Sequence, residues 1–584
     1  MNSQSLRSGI FLLTLSVLML FGLSSCQWDE DEDVSRVTAE ELDRAILGAM
    51  VYLDDTQVRD RSGKRSCRYD ASEEGDGCLS DEPDISNLLP IASPLNTRIA
   101  NQTGEWSSFI HPLPGRFEIN LFPSVRSQDS NLFVTAFVAY PLLLFESNAQ
   151  NSAGSPIDRM LDLAVRTIQS YRRQNGYSFW PITQPDQSGK TGIVAPINIP
   201  MATVEQFASD FLDPERSASV QDLFGETLVA GLGQWVEDVM TNQSNTQGVN
   251  AFFNIPDDAD DTALALGILK LYSLRHSGSD SLYDLSSLRV FGDFRDIGRV
   301  KEDGRDAYKG SASGAFLTWL RDEDEPFYLE PSKGVIPLGV NNVDAVVNAN
   351  VLFALSLHEA RDVSGYNESV TLLNQVARQR SWPAASLYYP QRMMFPYALT
   401  RAYRDGGADK DGLKEAIKIL MIDLLQEQYL DPNYPQLHGS FQNATGGRKN
   451  LSTALACSAL INMGESIAVE IGKRDAYIKA LNAGIAYLLR SKEVYHTQNP
   501  ETFASWAAAP QGYHWGTDLI FSASFPQLVE WRSEAFTAAM VLEALAKYKI
   551  GYQHSHRPIA EAAAIRLNPP EHGTAIWRLQ VSGQ

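Results

Sequence analysis

The chain has 584 residues, more than one ordinary core organises unless its helices close into a ring. At 44% apolar and 21% charged it has the make-up of a globular protein, with no long disordered region implied. A formal charge of −22 repels nucleic acid phosphates, and no basic stripe reverses that, so nucleic-acid binding is excluded.

Residues 1–25 read as a targeting segment. Arg7 is a short cationic region, and the apolar run from Ile10 to Leu23 is too short and wrongly flanked to span a bilayer. It ends in Leu23-Ser24-Ser25-Cys26, which resembles the bacterial lipobox. The resemblance implies that Cys26 becomes the lipid-bearing first residue of the mature protein and that acidic residues 26–36 are a tether. With Gln27 after the cysteine, it implies an anchor in the outer membrane of a Gram-negative bacterium, with the body in the periplasm or at the cell surface. The bland alternative is a cleaved signal peptide with an incidental cysteine. Cys67 and Cys78 lie in a polar, glycine-rich loop over 62–81, and in an oxidising compartment their spacing suits a local disulfide. No second cysteine pair completes a zinc site. Cys457 sits in an apolar helical stretch and reads as a buried, inert thiol.

A first helix is expected over 33–52, with Thr38 as N-cap, Glu41 three residues on, and Leu42, Ile46 and Met50 at helical spacing. From residue 101 a two-part pattern recurs. Its first half is a turn glycine followed by an aromatic: Gly104 and Trp106, Gly176 and Tyr177, Gly314 and Phe316, Gly439 and Phe441, Gly512 and Trp515. Its second half is a polar lead into an apolar helix with a Thr-Ala or Asn-Ala pair: Thr135, Thr262, Asn348, Thr453 and Thr537, each followed by alanine. Amphipathic helices are expected between the copies, over 156–173, 219–241, 367–380, 413–429 and 474–489, and no run of alternating strands is visible. A helix pair cannot bury its apolar stripe alone, so the pairs must stack. The irregular spacing of the copies fits a closed double ring better than a regular solenoid. The fold class is therefore all-α, an α/α toroid over 37–580, with helix N-termini of one ring meeting at a central mouth.

One copy carries unusual chemistry. Asp257, Asp258, Asp260 and Asp261 precede Thr262-Ala263 and directly follow Pro256. Asp258-Ala259-Asp260-Asp261-Thr262-Ala263 resembles the Asp-x-Asp-Asp-Thr-Ala motif of class II terpene cyclases, the squalene–hopene cyclase group, and the glycine-aromatic turns look like eroded versions of that group's Gln-Trp repeats. The superfamily, shared with prenyltransferase β subunits, is the α/α toroid. The resemblance implies an isoprenoid ligand and Asp260 as a proton donor supported by Asp258 and Asp261. Its chemistry is coherent: crowding by like charge raises the pKa of the middle carboxyl, and aromatic faces stabilise the cation it makes.

Other readings stay open. Asp257, Asp258 and Asp261 also satisfy Asp-Asp-x-x-Asp, a Mg²⁺ or Ca²⁺ pattern whose second half could be Asn462, Ser466 and Glu470. No cofactor is otherwise expected. A glycan hydrolase or lyase of the toroid type would need two carboxylates from different loops, and Asp260 with Asp344 are the candidates. In that reading Trp106, Trp180, Trp319 and Trp515 could stack on sugars, with Asp129, Glu534, His438, Tyr513 and His514 lining the mouth. A lipoprotein that binds a ligand or partner without catalysis is the third class. In the bland reading the acids are helix caps, each worth about 0.3–1 kcal/mol at a first turn. That explains two of the four acids; their mutual repulsion leaves the other two unexplained.

Overall fold

A computed structural model describes residues 37–59, 102–112, 127–145, 156–173, 176–182, 255–276, 282–297, 312–321, 341–408, 412–431, 433–443, 448–497, 511–522 and 529–553. Cys26 with its leader and tether, Cys67, Cys78 and the helix expected over 219–241 lie outside the described residues.

Helix α1 spans Ala39–Thr56, and Thr38 caps it by accepting from the Glu41 amide. There follow α2 (Leu132–Leu142), α3 (Pro156–Ser170), α4 (Ala259–Arg275), α5 (Ala345–Leu357), α6 (Tyr366–Arg378) and α7 (Met394–Arg404). The series ends with α8 (Lys414–Glu427), α9 (Asn450–Met463), α10 (Arg474–Arg490) and α11 (Glu534–Gln553). Among the described helices, α2 packs on α4, α4 on α5, α5 on α7, α7 on α9, α9 on α11, and α11 back on α2. That is a closed ring. Outside it, α3 covers α2 and α4, α6 covers α5, α8 joins α6 and α9, α10 covers α9, and α1 lies between α3, α10 and α11. The protein is an α/α toroid. No described helix is long and apolar enough to cross a membrane.

Composition sorts the helices between the two rings. α2 (LFVTAFVAYPL) is apolar on every side and all eleven residues are buried. α3 (PIDRMLDLAVRTIQS) carries an apolar stripe that is buried and a charged face that is not. A helix enclosed on all sides needs the first composition, and one at the surface needs the second.

The two-part sequence pattern is a hydrogen-bonded clamp. The amide of the turn aromatic donates to the Thr or Asn in the first turn of the next inner helix: Tyr177 to Thr262 Oγ1 at 3.0 Å, Phe316 to Asn348 Oδ1 at 3.0 Å, and Phe441 to Thr453 Oγ1 at 3.1 Å. A second clamp, not anticipated from the sequence, holds the turn glycine. Gln57 Nε2 donates to the Gly104 and Met160 carbonyls, and Gln428 Nε2 does the same to Gly439 and Ala480. Gly104 and Gly439 have φ of +102° and +90°, and a Cβ at Gly439 would stand 2.0 Å from the Ala483 carbonyl oxygen, so neither position tolerates a side chain.

Strands, not expected from the sequence, are present but short. β1 (Ser108–Pro112), β2 (Ser127–Asp129), β5 (Leu519–Ser522) and β6 (Val529–Arg532) form an antiparallel sheet in the order β2-β1-β6-β5, and β3 (Glu493–Tyr495) pairs with β4 (Gly512–His514). Segments of three to five residues are too brief to show alternation in sequence; pairing between distant loops makes them strands.

The far end of the ring is closed by a buried ionic knot. Lys547 Nζ on α11 donates to Asp405 Oδ2 at 2.6 Å and Asn462 Oδ1 at 2.9 Å, and lies 2.7 Å from Glu543 Oε1. Tyr140 donates to Asp405 at 2.5 Å and Tyr397 to Glu543 at 2.7 Å. Burial works against the ammonium, but the two carboxylates hold its pKa above the ordinary value. The knot ties α2, α7, α9 and α11, so removing the cation strands two buried anions. Lys547→Met is expected to destabilise the protein by roughly 3–5 kcal/mol, measured as a fall in the denaturation midpoint, whereas exposed Lys414→Met, which loses only a surface pair with Glu470, should change it little.

Candidate active site at the ring mouth

The inner helices begin at one end of the ring, and their polar leads meet there. Asn131 caps α2 by accepting from the Val134 amide, Asp258 caps α4 by accepting from Asp261, Asp344 caps α5 by accepting from Val346 and Val347, and the Ser533 hydroxyl accepts from the Phe536 amide at the start of α11. These caps are buried, so each satisfies a helix amide that water cannot reach.

The four acids take four different roles. Asp257 pairs with Arg173, Oδ1 to Nε at 3.4 Å. Asp258 is the cap, with its Oδ1 2.6 Å from the Asp261 amide. Asp261 is 1% exposed. Burial and the adjacent charge push the carboxyls of Asp258 and Asp261 up together.

Asp260 is 6% exposed and held at both oxygens. Asn350 Nδ2 donates to Oδ1 at 2.5 Å, and the Tyr389 hydroxyl bonds Oδ2. Burial is the main cause that pushes its carboxyl up, to about 6, and the charge of Asp344 adds to it; the bonds from Tyr389 and Asn350 and the Arg401 cation pull the other way. Crowding by Asp258 and Asp261, expected from the motif, is thus secondary to desolvation. Asp344 itself is 0% exposed, with Oδ1 taken by the helix amides and Oδ2 by the Ser386 hydroxyl (2.6 Å) and the Leu387 amide (2.8 Å). Both oxygens of Asp344 are thus bonded, Oδ1 to the first turn of α5 and Oδ2 to the 386–387 turn.

Rings lead outward from Asp260. Tyr389 lies 5.8 Å from Phe133, Phe133 lies 5.1 Å from Phe521, and Phe521 stacks on Trp531 at 4.7 Å, with Phe179 edge-on to Phe521, Trp531 and Trp180. Asp129 anchors this wall: its carboxylate accepts both indole N–H groups, Trp180 at 2.9 Å and Trp531 at 3.0 Å, and the Asn131 amide at 2.6 Å. Among the other turn tryptophans, Trp319 pairs beside Asp258 and donates to Tyr388, while Trp106 and Trp515 donate to the Leu53 and Leu488 carbonyls and are packing groups. Glu534 accepts from Tyr52, and His514 stacks on Tyr52, away from Asp260.

Asn462, Ser466 and Glu470 do not converge: Asn462 holds Lys547, and Glu470 pairs with Lys414 and Lys418 outside. Among the described residues no three His, Cys, Asp or Glu side chains are placed to hold a metal. Cys457 is buried, and burial pushes its thiol well above the ordinary value.

Sequence reasoning missed Tyr389, Asn350 and Arg401. Asn350 carried a signal: it is the second asparagine in the otherwise apolar α5, and a buried amide needs a partner.

The raised carboxyl of Asp260 has a linked stability effect. Its contribution is fully present below the ordinary value of 3.8 and is lost as pH rises through about 6. The difference in thermal midpoint between the wild type and Asp260→Asn should therefore shift against the wild type as pH rises from about 4 to 7, and be flat above that range, in a pH series of melts.

Scans against protein-family models and against curated protein sequences find no match. Solved structures do: the type II terpene cyclase MstE from Scytonema at 13% identity, over 79% of this chain and 97% of that one, with a TM-score of 0.39; a variant of MstE at 12% identity over 79% and 96%, TM-score 0.40; and a protein from Actinoplanes at 13% identity over 78% and 95%, TM-score 0.37. Likeness at this distance leaves the toroid resting on its own helix contacts.

Proposed function

We propose that this chain is a lipid-anchored acid catalyst of the class II terpene cyclase type, in which Asp260 protonates an alkene of an isoprenoid substrate at the ring mouth. One observation carries the reading: a carboxyl shut away from water and fixed at both oxygens, with an aromatic wall beside it; burial there pushes it up to about 6. In the step the alkene π electrons take the proton from Asp260, leaving a carboxylate and a carbocation. Aromatic faces stabilise the cation while it rearranges. Loss of a proton from the cation gives the product, and Asp260 is protonated again. No redox partner is required. A dry site strengthens every electrostatic term, which is why a carboxyl can serve as the acid.

The glycan reading loses the second carboxylate the sequence offered, because Asp344 is spent as a cap. A non-catalytic binding role keeps one specific observation in its favour: below Asp260 the ring centre is filled, by Arg401 among Phe137, Tyr140, Phe353 and Tyr397. On the catalytic reading, the same filling confines the substrate's reacting end to the mouth.

Two experiments test the proposal. Purified protein is offered linear polyprenes and, separately, polysaccharides, and products of unchanged mass but altered retention are sought. Asp260→Asn should lower polyprene turnover by roughly 10²–10⁴-fold, and wild-type turnover should fall about tenfold per pH unit above about 6. Equal turnover in Asp260→Asn would overturn the assignment. For the anchor, Cys26→Ser should move the protein from the membrane to the soluble fraction of a Gram-negative host and abolish fatty-acid labelling; retention in the membrane with no label in either form would remove the lipoprotein assignment.

A further inference from the structure

Arg401 is 1% exposed on α7. Its guanidinium carbon lies 4.8 Å from the Phe353 ring, 4.9 Å from Phe137, and 5.3 Å from both Tyr140 and Tyr397. A cation enclosed by four rings on three helices has little freedom, and the rings offset part of its desolvation. We propose that Arg401 is a positioning residue that fixes, through Asn350, which oxygen of Asp260 carries the acidic proton. The proposal rests on the reading of Asp260 as the acid.

The argument is one of obligatory donors. A guanidinium only donates, and Arg401 Nη2 gives a hydrogen bond to Asn350 Oδ1 at 2.6 Å. Reversing the Asn350 amide would turn its NH₂ toward a group with no acceptor, so the amide has one orientation. Its Nδ2 must then face Asp260 Oδ1, 2.5 Å away. An oxygen that faces an obligate donor at that distance serves best as the carbonyl acceptor, so protonation there is disfavoured. The proton is therefore left on Oδ2, next to the Tyr389 hydroxyl, which can give or accept. Oδ2 is also the oxygen on the side of Tyr389 and Phe133, where the aromatic wall begins.

Charge accounting supports the same arrangement. In the ring centre Arg401 and Lys547 stand against Asp405 and Glu543, two cations to two anions, and Lys547 contacts both anions. Facing Asp260 are Asp258 and Asp261 from its own helix, Asp344 and Asn350 from α5, Tyr389 from the segment before α7, and Arg401 from α7. Arg401 is the cation of that set, and it acts from beyond Asn350. It is too remote to strip the proton from Asp260 and close enough to keep the carboxyl from rising further.

The test follows the protonated-carboxyl infrared band of Asp260, identified by its loss in Asp260→Asn, against pH in the full chain. The wild type should show one such band that disappears around pH 6. Arg401→Gln and, independently, Asn350→Leu should each raise the midpoint by about one pH unit and broaden or split the band as the proton gains a choice of oxygen. Arg401→Lys, which keeps a donor and a charge, should restore the wild-type midpoint. Cooperative melting of each variant separates these effects from misfolding; Asn350→Leu stands outside the ring cage and serves if Arg401→Gln does not fold. An unchanged band and midpoint in folded Arg401→Gln or Asn350→Leu overturns the positioning role while leaving Asp260 as the acid. Absence of a titrating band in the wild type overturns both.

Discussion

The toroid depends on a hydrogen bond that crosses, at three of its turns, to the inner helix that follows. Where Phe316 enters the core, its amide would be buried without a partner, at a cost of about 1–3 kcal/mol. Asn348 supplies the partner, and the same side chain returns a donor to the Phe316 carbonyl at 3.0 Å and to the Asp344 carbonyl at 2.8 Å. Thr262 and Thr453 do the same work for Tyr177 and Phe441. Each bond sets how far a turn can slide against the next inner helix. The positions of the α4, α5 and α9 starts, and so of Asp260, follow from that register.

A closed ring of apolar helices has an axis that must be filled, and this protein fills it with charge. Two cations, two carboxylates and the phenols of Tyr140 and Tyr397 are bonded or stacked into one column, all of it dry. Replacing such a network by well-packed apolar residues is often neutral or stabilising, so the column is weak support for stability as such. It does tie α2, α7, α9 and α11 to one another, because each contributes a polar side chain to it. Asn350 is the point where that column touches the mouth.

Helix N-termini explain why one acid differs from its neighbours. A carboxylate at the cap position, as at Asp258 and Asp344, accepts the amides aimed at it. Two residues on from the Asp258 cap, Asp260 turns inward instead, where the donors are one amide and one phenol. Burial raises all three carboxyls, Asp258 to about 7 and Asp260 to about 6, so what sets Asp260 apart is its partners and not a higher pKa. Position within a single helical turn thus separates acids bonded to helix amides from one bonded to side chains of other segments.

The amino-acid sequence alone determined the helix pairs, the turn glycines and aromatics, the Thr and Asn that recur at the helix starts, and the placing of four acids at one of those starts. All of these are local: periodicity, capping and turn chemistry are written within a few residues of one another. The closure of the ring, the short strands, the aromatic wall gathered on Asp129, and the partners of Asp260 were decided by tertiary structure. Asn350 and Tyr389 stand 90 and 129 residues from Asp260 in the chain. No periodicity or spacing links such positions, because the contact exists only once the clamps have brought three helices to one mouth.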